Sequence, residues 1–166
     1  MFAFIPHILS FVSGFLVKWV DWIEDERKGE SPLKYPLAVV YGILIGYIIS
    51  AAPFAEIFLG ALVAQVFARK IDTASHALGF FIAALSLSVF GFPQISLALF
   101  FYFLVLAFLD EMKFAGRLAF VSEHRLFLPV GSLVMLLFGR WEYTLGILFF
   151  DAGYLLFGKL SGKYLK

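Results

Sequence analysis

Residues 95–111 read ISLALFFYFLVLAFLDE, and this stretch decides the fold class. Fifteen residues from Ile95 to Leu109 carry no charge, and two acids, Asp110 and Glu111, then stand side by side. A run of this kind reads as an apolar helix that ends in a polar layer. The rest of the 166-residue chain repeats the pattern. Apolar residues make up 62% and aromatics 19%, with 22 Phe. A soluble domain of this size has too little interior to hide so much apolar surface, so lipid is expected to be the solvent for much of it.

Composition also excludes several classes. The formal net charge of +1 lacks the positive excess of a nucleic-acid binder. With no cysteine, disulfides, thiolate catalysis and zinc–sulfur sites are ruled out. Asparagine is absent and Gln65 and Gln94 are the only glutamines. Loss of these labile residues points toward a thermophilic source. The apolar run from Phe2 to Val17 has no basic residue before it and no small-residue cleavage site after it, so it reads as a retained helix, not a signal peptide.

Apolar segments fall at about 2–22, 36–52, 53–70, 76–91, 93–109, 125–139 and 141–158. The fold expected is an all-α integral membrane protein. It is a single domain over 1–166, a compact bundle of about seven short transmembrane helices, with one N-terminal helix plus three helical hairpins. The hairpins turn at Pro53, at Gly91-Phe92-Pro93 and at Gly139-Arg140-Trp141. Several segments fall short of the ~20 residues that usually span a bilayer, so either flanking residues extend them or some hairpins are re-entrant. An offset of 48 lays His76 on His124 and Phe90-Gly91 on Phe138-Gly139, which raises an internal repeat of hairpins. Gly42 and Gly46, and Gly60 with Ala64, have the small-residue spacing of close helix contacts.

Charge sets the orientation. If the first helix crosses and each hairpin returns to the side it left, twelve of the thirteen Lys and Arg residues share one side, and Arg140 alone lies opposite. The positive-inside rule makes the basic side cytoplasmic, with the N-terminus outside and the C-terminus inside.

The acids collect on the same side. Asp21, Glu24 and Asp25 share a face if the first helix continues through them, and like charges there at a helix C-terminus invite a cation. Asp72 and His76, four apart, join a carboxylate to an imidazole. Asp110 and Glu111 stand where the helix dipole disfavours them. Asp151 sits in the run LGILFFDAGYLLF, where an ionisable group is a functional candidate by default. Glu56 lies near the opposite surface, three residues after Pro53. Arg69, Lys70, Arg117 and Arg125, with His124, lie close by in sequence, and cations at a headgroup plane suit phosphate. The chain has no P-loop, GxGxxG, GxSxG, HExxH, paired Asp-rich or GxGD signature.

These residues lead to two expectations. In one, the chain is a small cytoplasm-facing membrane enzyme acting on a phospholipid or polyprenyl phosphate. Asp21, Asp25, Asp72, His76, Asp110 and Glu111 then hold a divalent cation such as Mg or Mn. Arg69, Lys70, Arg117 and Arg125 hold the substrate phosphate, and His124 and Asp151 act as catalytic groups. In the other, Asp151 and Glu56 carry a proton or cation across the membrane. A chain this short then works as a homo-oligomer. Nucleic acid is not an expected partner in either case.

Overall fold

The structure, a computed structural model, describes residues 4–28 and 30–164, with Arg117 and Tyr164 described by their backbone alone. Lys166, counted above among the basic residues, lies outside the described residues. Among the described residues the chain is all-helical: α1 (Ile5–Asp25), α2 (Lys34–Ala51), α3 (Ala55–Phe67), α4 (Ala74–Phe90), α5 (Leu97–Glu111), α6 (Ala119–Glu123), α7 (Phe127–Leu133) and α8 (Trp141–Tyr164). Two of these, α2 over Lys34–Ala51 and α8 over Trp141–Lys163, are long and apolar enough to cross a membrane by length and composition.

Local chemistry sets the boundaries. Pro6 stands in the first turn of α1, where its missing N–H is not needed. Ala52, held extended before Pro53, ends α2. Thr73 caps α4 by accepting from His76 N at 3.3 Å, and Ser96 caps α5 by accepting from Leu99 N at 3.5 Å. Asp72 therefore precedes the helix, and the expected i,i+4 face shared with His76 does not form.

Seven of the helices follow the seven apolar segments; α6 is a short addition. The segment 125–139 departs from expectation, because α7 gives way to a 3₁₀ stretch over Val134–Phe138. Two neighbours cause this. Tyr102 of α5 donates to Gly131 O at 3.0 Å, and Thr144 of α8 donates to Ser132 O at 2.8 Å. Both carbonyls are drawn toward side chains at the point where the tighter helix begins.

Two of the sequential pairs, α2 with α3 and α7 with α8, do pack, but the main pairings lie elsewhere. α2 packs chiefly on α4, α3 on α5, and α1 on both α8 and α2. α4 and α5 do not pack along each other, so the proposed repeat of hairpins has no counterpart in the packing. Small residues permit the close crossings. A methyl group added at Gly14 would collide with Phe150 O of α8, and one added at Gly153 would collide with Phe11 O of α1. Gly42 and Gly46 lie against Gly79 O and Ala83 O of α4.

The bundle has two unlike poles. At one, Arg140 donates to Pro53 O at 3.1 Å, and Glu56 accepts from Tyr143 at 2.7 Å and from Ser96 N at 3.0 Å. Phe54, Phe103 and Tyr143 are fully buried nearby. At the other pole meet the C-terminal ends of α1, α3 and α5, the start of α4, and the turn between α6 and α7.

Candidate functional site

The charged pole encloses a cavity of about 430 Å³. Its inner wall is apolar, with Ile45, Ile57, Phe58, Leu128 and Ile147. Its polar lining gathers Asp21, Asp25, Asp72, His76, Asp110, Glu111, Lys70, Arg125 and Asp151 from α1, α4, α5 and α8 and from the turns before α4 and before α7. These are nine of the twelve site residues expected from sequence. Arg69 and His124 are exposed and outside the lining. The Arg117 side chain lies outside the described residues.

A network ties α1 to α4 and α8. Tyr154 donates to Asp21 Oδ2 at 2.7 Å, and the other Asp21 oxygen faces His76 Nε2 at 3.3 Å. Lys18 donates to the Tyr154 hydroxyl at 3.3 Å, and His76 Nδ1 lies 3.4 Å from the Tyr41 hydroxyl. Asp21 lies near the C-terminal end of α1 and His76 in the first turn of α4, both at the charged pole. Burial raises the Asp21 carboxyl, but hydrogen bonds from His76 and Tyr154 and the charges of His76 and Lys18 outweigh it and hold the group below its usual range. The hydrogen bond to Asp21, against the opposing pull of burial, raises His76 above an ordinary histidine.

Glu24, placed beside Asp21 and Asp25 by sequence, turns instead to Lys34 at 3.1 Å and to the Ser75 hydroxyl. Asp110 accepts from Phe127 N at 2.7 Å and Leu128 N at 2.8 Å, so it caps α7. Glu111 accepts from Gln65 at 2.9 Å and pairs with Arg125 at 3.0 Å and Lys70 at 3.6 Å. His124 donates from Nδ1 to Phe120 O at 2.9 Å and lies against the Phe120 ring.

Three carboxylates in the lining are uncommitted. Asp25, Asp72 and Asp151 make no hydrogen bond or ion pair with the described residues. Asp25 and Asp72 are exposed at the mouth, and Asp151 is half-buried on α8. Among the described residues, no three His, Asp or Glu side chains converge to hold one metal ion. Tyr154, Tyr41 and Lys18 are network members that were not among the site residues expected from sequence. A signal for Tyr154 was present, since it follows Asp151 by three residues and shares its face.

Comparison with protein-family models, with curated proteins and with solved structures gave no match.

Proposed function

We propose that this chain is an integral membrane enzyme whose charged pole faces the cytoplasm and whose cavity receives the head of a phosphate-bearing lipid or polyprenyl substrate. The observation that carries the reading is the cavity itself: an apolar inner wall joined to a mouth where Lys70, Arg125 and uncommitted acids meet. An amphiphile needs such a joined surface, since its chain gains from apolar burial and its phosphate from charge-assisted hydrogen bonds. Membrane placement draws support from the outer surface, where Val89, Phe92 and Leu137 are 74%, 75% and 84% exposed.

Within this reading, Lys70 and Arg125 meet the phosphate, and Asp151 works as acid or base at the inner end of the cavity. A divalent cation, magnesium or manganese, is part of the proposal and enters with the substrate. Magnesium is commonly bound by one or two carboxylates together with substrate phosphate oxygens, so the protein need not present a complete ligand set. His76, held by Asp21, is the better-placed imidazole, because His124 lies outside the cavity. The transport reading draws less support, since Glu56 is committed to Tyr143 and Ser96 and does not line the cavity with Asp151.

The test uses the full chain reconstituted in vesicles. Phosphatidic acid, a polyprenyl monophosphate and a polyprenyl diphosphate are offered with magnesium, with manganese or with chelator, and phosphate release and thermal stability are followed. Metal-dependent release from one of them supports the reading. Absence of both turnover and ligand-dependent stabilisation across the panel rejects it.

A further inference from the structure

Three helices end in the same turn, and two of them carry a residue that the turn itself does not favour. At the end of α3, Arg69 N donates to Val66 O at 3.1 Å and Lys70 N to Gln65 O at 2.9 Å. After α6, Arg125 N donates to Ser122 O at 3.1 Å and Leu126 N to Val121 O at 2.9 Å. After the 3₁₀ stretch, Gly139 N donates to Leu136 O and Arg140 N to Met135 O, each at 3.0 Å. This paired pattern places its turning residue in the left-handed region, where glycine is favoured. At the pole of Glu56 and Arg140 the residue is Gly139, at φ 71°. At the charged pole it is Arg69, at φ 55°, and Arg125, at φ 50°. Among the described residues, Lys28 is the one other non-glycine residue with positive φ, so all three are basic and all lie toward the charged pole.

A Cβ in this conformation is a standing cost, and observed strain of this kind is a reason to ask what the side chain does. The surroundings supply an answer. Glu111 is buried and draws Lys70 and Arg125 together, yet the side chains of those two cations remain 45% and 52% exposed. Arg69, next to Lys70, makes no ion pair with the described residues. Two cations thus share one carboxylate, and Arg69 adjoins Lys70 in the chain, so all three side chains keep exposed donors beside the cavity.

We propose that the two strained turns form a clamp, Arg69 with Lys70 on one side and Arg125 on the other, for the phosphate of an anionic membrane lipid at the cavity rim. Arginine supplies what glycine cannot, a fork of N–H donors matched to phosphate oxygens. The clamp rests on the membrane placement proposed above, and its readout is lipid-dependent stability. Absent turnover would therefore count against the enzymatic reading alone and leave the clamp standing.

The experiment compares the full chain with Arg69→Gly, Arg125→Gly and the double variant in a neutral detergent. Thermal unfolding is followed with no addition, with phosphatidylglycerol, with phosphatidylcholine and with inorganic phosphate. Lys159→Ala, on exposed α8 surface, controls for loss of one positive charge. The glycine variants are expected to melt higher than the parent without lipid, because the turns relax. Phosphatidylglycerol is expected to raise the melting temperature of the parent and of Lys159→Ala, and to lose most of that effect on the double variant. Phosphatidylcholine should do little to any of them. Lower melting of the glycine variants would remove the premise of strain. An undiminished response of the double variant would overturn the clamp, and so would an equal loss in Lys159→Ala, which would mean diffuse attraction. A full effect from inorganic phosphate alone would overturn the lipid as its source.

Discussion

Asp110 caps α7 from the last turn of α5, holding Leu128 N at 2.8 Å and, through its other oxygen, Phe127 N at 2.7 Å. Seen within α5, the acid opposes the dipole of its own helix; seen from α7, it satisfies two orphan N–H groups at a positive helix end. Asp110→Ala is expected to cost about 1–2 kcal/mol of stability, in the range of lost helix caps, with Asp110→Asn costing less because one acceptor survives. Denaturant unfolding in detergent measures it. Unchanged midpoints in both variants would show that the cap carries no weight.

The Asp21–His76 pair gives a pH dependence with a definite sign. The carboxyl, depressed in the fold, contributes fully above its ordinary 3.8 and fades as pH falls through its lowered value. The imidazole, raised in the fold, contributes fully below its ordinary 6.5 and fades as pH rises through its higher value. The pair therefore stabilises most between these two ordinary values, and the parent protein should lose part of its stability on the alkaline side. Melting temperatures from acid to alkaline pH, for the parent and Asp21→Asn, report the effect. A parent and variant with parallel profiles would leave the pair without this role.

Asp151 lines the cavity with no hydrogen-bond partner among the described residues, so Asn fits its place with little structural penalty. Asp151→Asn is expected to melt near the parent while any turnover of phosphate-bearing amphiphile falls by ~10²–10⁴-fold, the usual worth of a proton-transfer group. Stability and turnover are measured side by side in the same vesicles. Full activity in this variant would remove Asp151 from the chemistry.

Topology is open to direct labelling because the chain has no cysteine of its own. A single cysteine replacing Arg140 is expected to react with an impermeant reagent from outside the cell, and one replacing Lys159 from the cytoplasm. The reverse pattern would place the cavity on the outer face.

Legibility in the sequence was uneven for physical reasons. Helix positions were readable because Pro53, Gly91 and Gly139 stop the chain and charges bound the apolar runs. Pairing was not, since helices as apolar all round as α2 and α5 offer no stripe to say which face packs. The gathering of Asp21 and Asp110 at one pole followed from placing helix ends at one level, whereas Asp151, read at membrane depth, reaches the same cavity from inside α8. Their partners did not follow: His76 looked to Asp72, four residues away, and found Asp21, while Asp110 caps a helix that begins beyond two intervening turns. Arg69 and Arg125 gave no sign of left-handed backbone, because only the hydrogen-bonded turn reveals it.

The crossing of α1 on α8, at Gly14 and Gly153, has a consequence for how the molecule is made. α1 has its principal partner in α8, more than a hundred residues further along the chain, and α2 likewise waits for α4. Each early segment must therefore remain unfinished while later ones emerge, its glycine groove open to whatever is at hand. Assembly of this bundle is a closing act, in which α8 draws α1 into place, and the most vulnerable interval for α1 is the time before α8 arrives.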